Sequence, residues 1–162
     1  MKIKIAEFLK EENINLHLKS RDKAYAIDTL IEMMMLTGNI ENEDVFKKMI
    51  LDREALITTG IGNAVAIPHG KSDVVKEMTI VAGVCKHGLD FESLDGSLSY
   101  LLFMIAAPEG ENQEYLDLLA RLSTILTDED FRFRLIDSKH ADDFLQHIDI
   151  QERIKFTDEY YL

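Results

Sequence analysis

Residues 78–85 read MTIVAGVC and residues 99–107 read SYLLFMIAA, two runs that are apolar at nearly every position. A strand with one wet face alternates apolar and polar residues, whereas a short run that is apolar at both parities is a strand buried on both faces. Two such strands need cover on either side, so the runs predict an α/β fold: a central sheet with helices on both faces. Between them, residues 88–96 (GLDFESLDG) read as a polar excursion with turn chemistry. The longest apolar stretch, residues 100–107, is far too short to span a bilayer.

Working outward, residues 14–18 (INLHL) alternate, which predicts a half-buried strand with His17 facing water. Ser20 is placed to cap the next helix, which carries Ala24, Ile27, Leu30, Ile31 and Met34 and is closed by Gly38. A second helix begins near Asn42, with Glu43 and Asp44 in its first turn, where unpaired backbone N–H groups favour negative charge. Its apolar face is Val45, Phe46, Met49 and Ile50, and continuing that face lands on Arg53. After the glycine-containing loop 59–63, a short strand over residues 64–67 runs into Pro68-His69-Gly70. Past Pro108, a helix over residues 112–126 carries the stripe Tyr115, Leu118, Leu119, Leu122, Ile125 and Leu126. Thr127-Asp128-Glu129-Asp130 resembles a capping box for a helix with Phe131, Leu135 and Ile136, and Ser138 is expected to cap a last helix with Phe144, Leu145 and Ile148. With no linker or repeat in sight, residues 1–162 read as one domain, its core about residues 7–150, with a short tail at 151–162.

Composition narrows the function. The chain has 18 Lys and Arg against 30 Asp and Glu, a formal charge of −12. That balance argues against a nucleic-acid or anionic-lipid partner, both of which need a basic footprint. One cysteine, Cys85, excludes an internal disulfide, and the N-terminus turns acidic too early for a cleaved signal, so a cytoplasmic protein is expected.

The five histidines, His17, His69, His87, His140 and His147, show no i, i+4 pair and no HExxH motif. Cys85 and His87 lie two apart on an extended segment, a spacing that can put both on one side, but two ligands do not make a zinc site, so no metal is expected. Nor is there a phosphate-cradling glycine motif, and no cofactor is expected. His69 stands apart, between a proline that stiffens its approach and a glycine that leaves room for an anion. A neutral imidazole there either serves as a nucleophile through one nitrogen or is an ordinary loop histidine. Arg53, on an apolar face near a helix C-terminus, either caps the last carbonyls or holds its fork over a phosphate or carboxylate. Tyr115 lies on an apolar stripe and its hydroxyl needs a partner.

The run Leu51-Asp52-Arg53-Glu54-Ala55, then residues 62–72 (GNAVAIPHGKS), resembles the enzyme IIA domain of the fructose/mannitol type, from the bacterial phosphoenolpyruvate-dependent sugar phosphotransferase system. Residues 89–96 (LDFESLDG), 101–110 (LLFMIAAPEG), 119–123 (LARLS) and 128–132 (DEDFR) are similar to the same family, so the resemblance covers about residues 7–150 in order. It implies a mixed sheet with helices on both faces and a phosphocarrier role. His69 would accept a phosphoryl group through Nε2 from the phosphohistidine of HPr and pass it to a cysteine of a IIB component on another chain. Arg53 matches the family's arginine beside the active histidine, and Asn63 takes a polar loop position near it. Many members carry a second histidine in the pattern N-x-x-H-L; here Asn112-Gln113-Glu114-Tyr115-Leu116 puts Tyr115 there. A tyrosine hydroxyl can donate one hydrogen bond to phosphate but carries no positive charge. The fructose-like ESLDG and APEG segments favour sugar transport over the alternative, a regulatory protein of the nitrogen-related branch that binds targets according to phosphorylation state. A third reading is an acidic binding scaffold with an inert His69.

Overall fold

The computed structural model describes residues 3–20, 22–110 and 112–160, the side chains of Asn112, Glu159 and Tyr160 excepted. In chain order the elements are β1 (Ile14–Asn15), α1 (Lys23–Leu36), α2 (Glu43–Leu56), β2 (Gly60–Gly62), β3 (Val65–Ala66), β4 (His69–Lys71), β5 (Thr79–Leu89), β6 (Ser99–Ala107), α3 (Asn112–Ile125), α4 (Glu129–Ile136), α5 (Ala141–Lys155) and α6 (Thr157–Tyr160). Two short 3-10 turns precede β1.

The two apolar runs form the long antiparallel pair at the centre, with Ile80 opposite Ile105 and Ala82 opposite Phe103. The strand order is β1-β5-β6-β3-β2, and β4 also pairs with β6, beyond β3. β1 runs parallel to β5, and β3 and β4 run parallel to β6, so the sheet is mixed. Side chains alternate between two cores, as the pleat requires. Ile80, Ala82, Val84, Leu101, Phe103 and Ile105 join the core under α3, α4 and α5. Val81, Cys85, Leu102, Met104 and Ala106 join the one under α1 and α2. The expected architecture, helices on both faces of a central mixed sheet, is the one observed.

Several local expectations are corrected. The strand predicted over residues 14–18 shrinks to Ile14–Asn15, because the Asn15 side chain accepts from the His17 N–H and turns the chain; His17 still faces water. Asp22, not Ser20, caps α1, its carboxylate accepting from the Tyr25 N–H at 2.8 Å, and Ala26 rather than Ala24 is buried. Gly38, at φ +78°, ends that helix region in the conformation that suits glycine. Asn42 caps α2 as expected, although Val45 is exposed. At α4 the capping box reduces to a single cap, Asp128 accepting from the Phe131 N–H, because Phe131 offers no reciprocal acceptor. Ser138 turns back to the Arg134 carbonyl and leaves the cap position of α5 to His140. β5 runs on to Leu89 through a bulge, so the excursion between the central strands is shifted to residues 90–98, and Phe91 within it is fully buried. Cys85 is buried while His87 is exposed. Residues 151–155 continue α5, burying Gln151 and Glu152; residues 161 and 162 lie outside the described residues.

Candidate functional site

His69 is not in a loop after a strand but opens one: β4 pairs it with Ile105. Pro68 carries no N–H, and its carbonyl accepts from the Ile105 N–H, so the chain enters the sheet at His69 with its direction set. Gly70 leaves room for α2: a Cβ there would lie 2.0 Å from the Met49 sulfur, so the flexible Met49 side chain would have to move. The helix therefore presses close to the strand, bringing the C-terminal turn of α2 alongside His69.

The ring is half-buried, with Nδ1 2.7 Å from the Ile67 carbonyl oxygen. A carbonyl oxygen can only accept, so Nδ1 carries the hydrogen and Nε2 keeps its lone pair. Burial pulls the imidazole pKa below its ordinary value of 6.5; the Ile67 bond opposes that, the Arg53 guanidinium reinforces it, and the Glu54 carboxylate opposes it. The neutral ring is therefore favoured. An NMR titration is expected to place the His69 midpoint below 6.5, so that at that pH the ring stays mostly neutral, where an ordinary histidine would be half protonated. A midpoint above that value would contradict the arrangement.

Arg53 donates from Nη1 to the Ile57 carbonyl at 2.9 Å, satisfying an orphan group at the end of α2. Its other donors make no hydrogen bond among the described residues, and its charge acts on both His69 and Tyr115. Of the two sequence readings of Arg53, the capping contact is the one present. Tyr115, near the start of α3, sets its ring centroid 6.1 Å from that of His69 at an interplanar angle of 53°. Burial pushes its hydroxyl pKa up to about 12, Arg53 pulling the other way, so the group stays protonated and can donate. Lys71, two residues along β4, places its ammonium 5.9 Å from the Tyr115 ring centre. Arg53, His69 and Tyr115 are thus brought together from three elements.

Asn63 is placed differently. It is exposed at φ +55°, and its backbone N–H donates to the Asp95 carboxylate at 3.0 Å. It makes no hydrogen bond with His69, Arg53 or Tyr115 among the described residues. The Asp95 carboxyl is held down to about 2 by the Ser97 side chain, the Ser97 N–H and the Asn63 N–H, so it remains charged and holds the loop.

Sequence reasoning passed over Glu54. It is buried, takes the Thr59 N–H and hydroxyl at 2.8 and 2.6 Å, and pairs with Lys23 at 2.8 Å. A signal was available: Phe46, Ile50 and Glu54 recur every fourth residue, which places the carboxylate on the buried stripe. Among the described residues no group of three or more His, Cys, Asp or Glu is placed to hold a metal ion, and no helix is long and apolar enough to cross a membrane.

Residues 7–150 match the family described as "Phosphoenolpyruvate-dependent sugar phosphotransferase system, EIIA 2". The chain belongs to that family. As an EIIA domain it is a phosphotransferase component, one that accepts and transfers a phosphoryl group. It is 38% identical over 151 residues to the fructose-specific EIIABC component of Bacillus subtilis, covering 93% of this chain but only 24% of that protein's length. It is 36% identical over 138 residues to a nitrogen regulatory protein of Bradyrhizobium diazoefficiens, covering 85% of this chain and 89% of the relative. Among solved structures it resembles Escherichia coli enzyme IIAMTL in complex with phosphorylated enzyme IIBMTL, with a TM-score of 0.76 and 28% identity over 88% of this chain and 99% of the other.

Proposed function

We propose that this EIIA domain is a phosphocarrier whose acceptor is Nε2 of His69. The observation that carries the reading is the Nδ1 contact with the Ile67 carbonyl, which leaves the Nε2 lone pair free beside an arginine. The donor is the phosphohistidine of HPr. The Nε2 lone pair forms a bond to phosphorus as the donor's N–P bond breaks, the donor imidazole leaves with the bonding pair, and the Nδ1 hydrogen of His69 stays in place. In the second step a cysteine thiolate of a IIB component attacks the same phosphorus, an S–P bond replaces the N–P bond, and His69 returns to its neutral form. Such transfers ask the protein mainly for in-line positioning and for charge stabilisation on the equatorial oxygens. Arg53 and the Tyr115 hydroxyl supply donors for those oxygens.

The Bacillus relative's name favours fructose-type sugar uptake, with the domain acting in the cytoplasm. A second reading, a regulator whose His69 phosphorylation state controls target binding, draws on the nitrogen regulatory relative, which this chain matches over most of its length. Incubation with phosphoenolpyruvate, enzyme I and HPr tests the carrier: one acid-labile phosphate on His69 is expected. Addition of IIB components and candidate sugars then separates transport, which drains the phosphate, from regulation, which leaves it.

Tyr115 has a supporting role, so Tyr115→Phe is expected to slow phosphoryl acceptance by roughly tenfold, the size of one hydrogen bond to a charged group, without abolishing it. Rates measured with phospho-HPr check this; complete loss would make the tyrosine essential and the assignment wrong.

A further inference from the structure

We propose that Glu54, held by Lys23, is the positioning residue that sets both His69 and Arg53; this deepens the phosphocarrier reading and rests on it. The Glu54 carboxylate grips Thr59 by its N–H and its hydroxyl. The Thr59 carbonyl accepts from the Ile67 N–H at 3.0 Å, and the Ile67 carbonyl accepts from His69 Nδ1 at 2.7 Å. Thr59 and Ile67 each receive on one side and give on the other, so the place of the carboxylate is handed in two steps to the imidazole. The same turn carries Ile57, whose carbonyl holds Arg53 Nη1. One anchor therefore governs the nucleophile's tautomer and the guanidinium's pose.

Lys23 fixes the anchor from the start of α1. Its ammonium lies 2.8 Å from Glu54, 3.4 Å from the Thr58 hydroxyl and 3.3 Å from Glu92, and 5.0 Å from the centre of the buried Phe91 ring. Thr58 in turn donates to the Phe91 carbonyl, tying the turn to the loop between the central strands. Buried ion pairs add little net stability over apolar residues of the same shape. A pair kept at this point, with its hydrogen bonds directed along the line to His69, is a means of positioning.

The test uses the full chain with Glu54→Ala, Glu54→Gln and Thr59→Val. Nitrogen-15 shifts of His69 report the tautomer in the unphosphorylated protein, and phosphoryl acceptance at varied phospho-HPr separates kcat from KM. Glu54→Ala is expected to mix the tautomers and to lower kcat by about tenfold or more with KM nearly unchanged, because a small misplacement of a reacting atom is costly. Glu54→Gln keeps an acceptor oxygen for Thr59 and is expected to restore most of the kcat, with Thr59→Val falling between. Wild-type tautomer and kcat in both Glu54→Ala and Thr59→Val would overturn the proposal, as would a glutamine variant no better than alanine. If Glu54→Ala fails to fold, Thr59→Val and Glu54→Gln decide. A wild-type protein that takes no phosphate on His69 defeats the carrier reading itself, an outcome separate from the tautomer measurement.

Discussion

His69→Ala is expected to abolish phosphoryl acceptance altogether. The proposed transfer needs a nitrogen lone pair, and no other side chain at the site offers one: the Arg53 guanidinium has only N–H donors, and the Tyr115 hydroxyl, with its pKa near 12, is a donor. His17, His87 and His140 are exposed on other segments, so a phosphate transferred to one of them would lack the Arg53 charge. Alanine leaves the backbone pairing with Ile105 intact, and removing a half-buried ring at a sheet position costs about 1 kcal/mol, so the variant folds. Intact-mass measurement after incubation with phosphoenolpyruvate, enzyme I and HPr should show no phosphate on the variant and one on the wild type. A variant that still gains the phosphate would move the acceptor elsewhere and dissolve the roles given to Arg53 and Tyr115.

The second large effect concerns stability. Arg121 of α3 and Glu152 of α5 form an ion pair at 5% and 1% side-chain exposure. Glu152 also accepts the Ile5 N–H at 3.2 Å, and the guanidinium stacks 4.1 Å from the Phe156 ring centre. The cluster joins the N-terminal 3-10 turn, α3 and the end of α5. Arg121→Met is expected to destabilise the fold by about 3–5 kcal/mol, because it strands a buried carboxylate. Adding Glu152→Leu is expected to recover part of that loss, the remaining cost being the Ile5 N–H left without its acceptor, about 1–3 kcal/mol. Urea denaturation checks both. A single variant within 1 kcal/mol of wild type, against the cost expected for an unpaired buried charge, would show that water already reaches the pair.

What was legible in the sequence was what local chemistry dictates. The central strands announced themselves because both faces are apolar, and the Asn42 cap because a short polar side chain before a helix has one natural use. Arg53 was visible as a charge on an apolar face, and the structure sets it beside His69. The rest depended on contacts distant in the chain. β4 is three residues long and exists because β6 is there to pair with it, so no pattern in Pro68-His69-Gly70 could reveal a strand. Glu54, Arg121 and Glu152 all lie on the buried stripes of their helices, where a charged residue requires a partner, but the partner's identity lies on another element. Ser20 and Ser138 do not cap their helices for a related reason: several polar residues stand within reach of each helix start, and only the path of the incoming chain selects one.

The clamp on the imidazole comes from the residue two places earlier in the same chain, with no other domain involved. A ring tethered so locally has little freedom to swing when its load changes. On the phosphocarrier reading proposed above, the empty and loaded forms would then differ chiefly at a single point, by the charge and acceptor oxygens gathered on Nε2. Whatever tells the two forms apart has to read that spot directly.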